Sequence, residues 1–188
     1  MRTSLILVIL SLISPVLSGQ QEDTALLLID IQEFYFDPAK SPLEGNLEAS
    51  EKAGRLLAYF REKKLTVIHV MHEGGGEIHR FVSPAAGEKI IVKENVSCFR
   101  ETGLTDYLQE TGITTLVIAG MMTHMCVEAA VRAGADLGFD IVLIHDACAT
   151  KDLKYGGEVV KARDIHLSTL STLRSYAKIL SAEEYLGK

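Results

Sequence analysis

Three side chains of this 188-residue chain make a chemically complete set, and each stands where an apolar run gives out. Leu26-Leu27-Leu28-Ile29 ends at Asp30, and Ile90-Ile91-Val92 ends at Lys93. Leu116-Val117-Ile118-Ala119-Gly120 leads through Met121-Met122-Thr123-His124-Met125 to Cys126. A thiol attacks a carbonyl as its thiolate, and a neighbouring cation and a helix N-terminus both favour that form. A carboxylate at the same place accepts the thiol proton and returns it to a leaving group. The unpaired N–H groups of the helix start would then face a tetrahedral oxyanion. Singly, each residue has a plainer use: Asp caps helices, Lys is solvated, and Cys packs as a small hydrophobe. Gathered at the ends of three different strands, they point to nucleophilic catalysis at an acyl carbon.

Positioning these residues requires a sheet whose strands end at one edge. Five short runs read as buried strands, at 25–31, 66–71, 89–93, 115–120 and 140–145, with a weaker sixth at 177–180. Each is nearly continuously apolar rather than alternating, as expected of parallel strands covered on both faces. Helical periodicity fills the gaps at 46–64, 123–137 and 158–176. Strand and helix alternating at this spacing build right-handed crossover units. The expected fold is therefore a three-layer α/β/α sandwich with a mainly parallel sheet of five to six strands. In such sheets the site lies beyond the carboxyl ends of the strands. One long Gly-containing loop, 72–88, holds His72 and His79 and is expected to border that site.

Composition narrows the function. A hydrophobic content of 47% sustains a sizeable core, and a net charge of −6 with no basic cluster excludes nucleic acid as the main partner. Arg2 precedes an apolar stretch from Leu5 to Val16, and Val16-Leu17-Ser18 supplies small residues at a cleavage site. Residues 1–18 are thus expected to be a signal peptide and 19–188 a single catalytic domain. The mature protein is expected to be secreted or periplasmic, with no stable membrane association after cleavage. Three cysteines, Cys98, Cys126 and Cys148, leave at least one thiol unpaired in an exported protein. Their spacing matches neither a redox Cys-x-x-Cys pair nor a zinc knuckle.

The segments Leu28-Ile29-Asp30-Ile31-Gln32, Ile91-Val92-Lys93 and Gly120-Met121-Met122-Thr123-His124-Met125-Cys126-Val127 resemble the isochorismatase-like cysteine hydrolases, which include nicotinamidases and related amidases. Asp146-Ala147-Cys148-Ala149-Thr150 is similar as well, and the likeness runs from about Thr24 to Leu180. It implies Asp30 as base and acid, Lys93 as support for the thiolate and Cys126 as nucleophile. It further implies a cis peptide at Met121–Met122, an oxyanion hole from the N–H groups of Met122 and Cys126, and a homo-oligomer. The implied reaction is hydrolysis of a small-molecule amide through a thioester. A lactam or N-carbamoyl substrate would use the same triad, and a non-catalytic binding protein or thiol sensor is the alternative from another class.

Where nicotinamidases carry a metal-binding Asp-x-His, this chain reads His69-Val70-Met71-His72-Glu73 and lacks the Asp. No metal and no cofactor are therefore expected, although His69, His72 and His79 lie in reach of one another in sequence. Phe34, Phe36, His72 and Phe99 are candidate pocket walls, with Tyr35 and Met122 of similar standing. His124 is not expected to be the base, because helix residues two apart face different ways.

Overall fold

In a computed structural model, residues 23–40 and 42–187 are described. The expected signal peptide and the expected mature N-terminus, residues 19–22, fall outside them. Eight strands and five α-helices are described. β1 (Thr24–Ile29), β2 (Thr66–His72), β3 (Lys89–Lys93), β4 (Thr115–Met121), β5 (Asp140–Ala149) and β8 (Lys178–Leu180) form one sheet in the order β3-β2-β1-β4-β5-β8. Every pairing in it is parallel. The central strand β1 is buried at all of its residues, which is why Thr24 to Ile29 carries no polar alternation.

Helices cover both faces. On one side α1 (Asn46–Glu62) sets Ala53, Leu56, Leu57 and Phe60 against Leu26, Leu28 and Val117, joined by Ala182 of α5 (Ala182–Leu186). On the other, α2 (Leu104–Glu110), α3 (Glu128–Asp136) and α4 (Ala162–Leu173) bury Leu104, Leu108, Val131 and Leu173 against Leu27, Ile118 and Leu143. The three-layer sandwich and its six strands agree with the expectation.

Three local readings are corrected. The helix expected over 158–176 is split: β6 (Leu153–Tyr155) and β7 (Glu158–Val160) form an antiparallel hairpin, and α4 begins only at Ala162. Gly156 and Gly157 both take positive φ and close that turn, so Val159 and Val160 belong to a strand. β1 stops at Ile29, short of Ile31, because Asp30 leaves the extended region at φ 49°. β5 runs past His145 to Ala149, across a register shift opposite β4 between Ile118 and Gly120.

Gly120 explains how β1 and β4 come so close at the functional edge. Its φ is 141°, and an added Cβ would collide with the Ile29 backbone, so only glycine serves.

Candidate active site

Asp30 follows β1, Lys93 closes β3, and Cys126 lies in a π-helical turn, Thr123–Val127, between β4 and α3. The long lysine side chain spans the strand that separates β3 from β1. Its Nζ lies 2.7 Å from Asp30 Oδ2 and donates to Cys126 Sγ at 3.3 Å and to the Asn95 carbonyl at 3.2 Å. All three N–H donors of the ammonium thus have partners. Asp30 and Lys93 are almost wholly removed from solvent and Cys126 nearly so, at 1%, 2% and 5% exposure. Apart from the Lys93 ammonium and the Cys126 thiol, no donor satisfies the Asp30 oxygens.

The backbone of Asp30 aims its side chain. Its N–H donates to the Val70 carbonyl at 2.9 Å, and its carbonyl accepts from Gln32 N–H at 3.0 Å. Aspartate is among the few residues that tolerate this left-handed conformation.

Burial raises the Asp30 carboxyl above the ordinary carboxylate range, although Lys93 and the thiol pull it down. Burial also pushes the Cys126 thiol up to about 12; the adjacent Asp30 carboxylate adds to the rise and Lys93 opposes it. Lys93 acts on the thiol in the expected downward direction, and burial and the Asp30 carboxylate act against it. The ion pair of Lys93 with Asp30 at 2.7 Å sets one positive and one negative charge beside the thiol. Moving the thiol proton to Asp30 leaves the sum of those charges unchanged.

Sγ faces a cavity of about 280 Å³. Phe34, Tyr35, Val96 and Met125 supply its apolar walls, and Gly74 and Gly75 contribute backbone. His72 and Glu73 are its ionisable lining groups besides Tyr35 and the thiol itself. Burial, with Asp30 and Cys126 adding to it, raises the Tyr35 phenol, which therefore stays protonated.

Gln32 is a functional residue that composition and spacing do not single out. Its amide accepts from His72 N–H at 2.8 Å and donates to the carbonyls of His72 at 3.1 Å and Gly76 at 2.7 Å. It is buried at 1% exposure and straps the 72–76 segment across the cavity. Gly75 packs so tightly on this amide that a Cβ there would meet Gln32 Nε2 at 2.6 Å. The available signal was a polar residue two positions after Asp30 with no solvent to face.

Of the candidate walls, Phe34 and His72 line the cavity. Phe36 and Phe99 do not. Phe36 stacks on His79 at 3.8 Å between ring centres, and Phe99 stacks on Phe139 against α3, beneath the sheet. Aromatic residues near a site are drawn into packing wherever an apolar partner is closer. His69 is buried and bonds Glu88, His124 meets Thr150 Oγ1 at 2.6 Å, and His166 meets Thr123 Oγ1 at 2.9 Å. No cluster of metal-binding side chains occurs among the described residues. The Met121–Met122 peptide is cis. All three cysteines are free, and burial pushes Cys98 and Cys148 up to about 12 as it does Cys126; of the three, Cys126 is the one that lines the cavity and touches Lys93.

A parallel sheet with a thiol, an ammonium and a carboxylate gathered at its carboxyl edge defines the isochorismatase-like class of α/β hydrolases. The isochorismatase domain model matches residues 24–163, and the chain belongs to the isochorismatase family. It is 38% identical to the isochorismatase family protein YddQ of Bacillus subtilis, over 87% of this chain and 98% of that protein. A crystal structure of a putative isochorismatase hydrolase from Oleispira antarctica superposes with a TM-score of 0.85 at 41% identity, covering 89% of this chain and 98% of that one. A streptothricin hydrolase of Streptomyces noursei is 33% identical over 69% of this chain, which spans 50% of that relative.

Proposed function

We propose that the protein hydrolyses the C–N bond of a small amide through a thioester on Cys126. The observation that carries this reading is the single buried ammonium held against both a carboxylate and a thiol, beside a cavity sized for a small molecule. The streptothricin hydrolase among its relatives supports hydrolysis as the reaction class.

Each step of the proposed cycle falls to one of these groups. When an amide carbonyl reaches Sγ, the thiol proton passes to Asp30 as the sulfur attacks, so thiolate is formed where it is used and not by ionisation to solvent. The high affinity of both groups for the proton is compatible with this, because the transfer is internal and leaves the cluster's charge unchanged. Lys93 stays beside whichever partner carries the negative charge. The N–H groups of Met122 and Cys126 receive the oxyanion. Asp30 then protonates the departing nitrogen, the C–N bond breaks, and the acyl group remains on sulfur. A water molecule, deprotonated by Asp30, attacks the thioester; the acid leaves and the proton returns to Cys126.

A thiol redox sensor fits this site poorly. Sensor cysteines are acidic and solvent-accessible, whereas Cys126 is buried and its thiol is pushed up to about 12. The test is a screen of primary amides, lactams and N-carbamoyl compounds for release of ammonia or amine, with mass spectrometry of the quenched enzyme. Turnover with an acyl adduct on Cys126, both abolished by Cys126→Ala, is expected. Turnover that survives Cys126→Ala defeats the proposal.

A further inference from the structure

We infer that the substrate's acyl part is apolar and carries no carboxylate, a cationic group being preferred to an anionic one, and that Glu73 sets this preference. The inference rests on Cys126 as the reacting atom, since that decides which cavity matters.

A substrate carboxylate entering the cavity would need a cation. Lys93 is the nearest, but its three donors are already directed to Asp30, Cys126 and Asn95. Turning one toward a substrate would break the cluster that the reaction depends on. No arginine and no other lysine lines the cavity. Gln32, the neutral polar side chain there, spends its amide on His72 and Gly76. His72 lines the cavity and holds the Glu73 carbonyl through Nδ1 at 2.9 Å. Glu73 is the one carboxylate of the lining, and it is exposed. With the triad neutral overall, it makes the fixed charge of the wall negative. An anion placed there loses water and meets no fixed cation in exchange, only neutral partners such as the Tyr35 hydroxyl. A cation has Glu73 to pair with, while an aromatic or aliphatic body rests on Phe34, Tyr35, Val96 and Met125.

Three benzamides of nearly equal shape test this: one with a para aminomethyl group, one with a para methyl group and one with a para carboxylate. Their binding to the full-length Cys126→Ala protein is measured by calorimetry at low and high salt. Protection of the wild-type thiol from iodoacetamide by the same compounds is a second readout that needs no variant. The aminomethyl compound is expected to bind about tenfold more tightly than the carboxylate, with the methyl compound between them. Glu73→Gln should close most of that gap, and high salt should narrow it. The inference is overturned if the carboxylate binds as tightly as the aminomethyl compound, if the gap is unchanged in Glu73→Gln, or if none of the three binds. Charge-ranked binding with no ammonia released by the wild type from any amide would instead defeat the amidase reading and leave the charge preference standing.

Discussion

Replacing Lys93 with methionine keeps the length of the buried side chain and removes its charge, and two consequences can be worked out. The cation lies 3.3 Å from Cys126 Sγ, where Coulomb's law at an effective dielectric constant of about 20 assigns about 5 kcal/mol to an ammonium–thiolate pair. The same loss leaves the Asp30 carboxylate buried without a counter-charge, so Asp30 takes up a proton and ceases to repel the thiolate. Both groups touch one ammonium, so Asp30 Oδ2 and Sγ are at most about 6 Å apart, the 2.7 and 3.3 Å contacts laid end to end. At that upper bound the relieved repulsion is at least about 2.8 kcal/mol. The net penalty is at most about 2 kcal/mol, or up to roughly thirtyfold less thiolate at a given pH. Part of this is offset by the greater nucleophilicity of a less acidic thiol, so alkylation should slow by up to about tenfold.

Stability carries the second signature of Lys93→Met. The Asp30 carboxyl is raised in the folded state above its unfolded value of 3.8. Between those two values the native state binds more protons than the unfolded state, so stability falls as pH rises through that window. Removing Lys93 widens the window toward neutrality. The variant should lose about 3 kcal/mol at neutral pH and recover most of it on acidification toward the ordinary carboxylate range. The assays are iodoacetamide modification of Cys126 followed by mass spectrometry, and urea unfolding at several pH values. Alkylation at the wild-type rate, together with a stability deficit independent of pH, would show that Lys93 does not share the electrostatics of Asp30 and Cys126, and the cluster would have to be reinterpreted.

Other outcomes follow from single contacts. Gln32→Ala removes three hydrogen bonds to the 72–76 segment and should raise KM at least about tenfold while lowering kcat less, as steady-state kinetics will show. Equal losses in kcat and kcat/KM, with KM unchanged, would assign Gln32 to the chemical step. Gly120→Ala forces a Cβ onto the Ile29 carbonyl at φ 141° and should cost roughly 3 kcal/mol or more in denaturant unfolding, through separation of β1 from β4. The apolar run Leu5–Val16 and the site at Val16-Leu17-Ser18 lead us to expect export, with a mature N-terminus near Gly19 or Gln20. N-terminal sequencing of native protein that finds Met1 or Arg2 retained in a soluble cytosolic pool would refute export.

Much of the fold was legible because its signals are local. Runs such as Leu26–Ile29 and Leu116–Ala119 are apolar on every residue, and only a strand covered on both faces satisfies that pattern. Their ends name the reactive trio, since a charged residue or a thiol that closes a buried strand lies on the sheet's functional edge. The hairpin at 153–160 was misread for the opposite reason. Its strands are three residues long, and Val159 and Ala162 also fall at helical spacing, so only the Gly156-Gly157 turn decides between the two.

What the sequence determined by itself was thus the sheet, the layers that cover it and which three side chains stand at the strand ends, all properties of neighbouring residues. The tertiary structure alone decided how those groups behave. That Lys93 reaches past β2 to touch both partners, that burial and Asp30 hold Cys126 as a thiol, and that Gln32 ties down the cavity wall are consequences of residues tens of positions apart meeting in a space without water. Charge interactions and desolvation depend on distance through space, and no period or spacing along the chain records that distance.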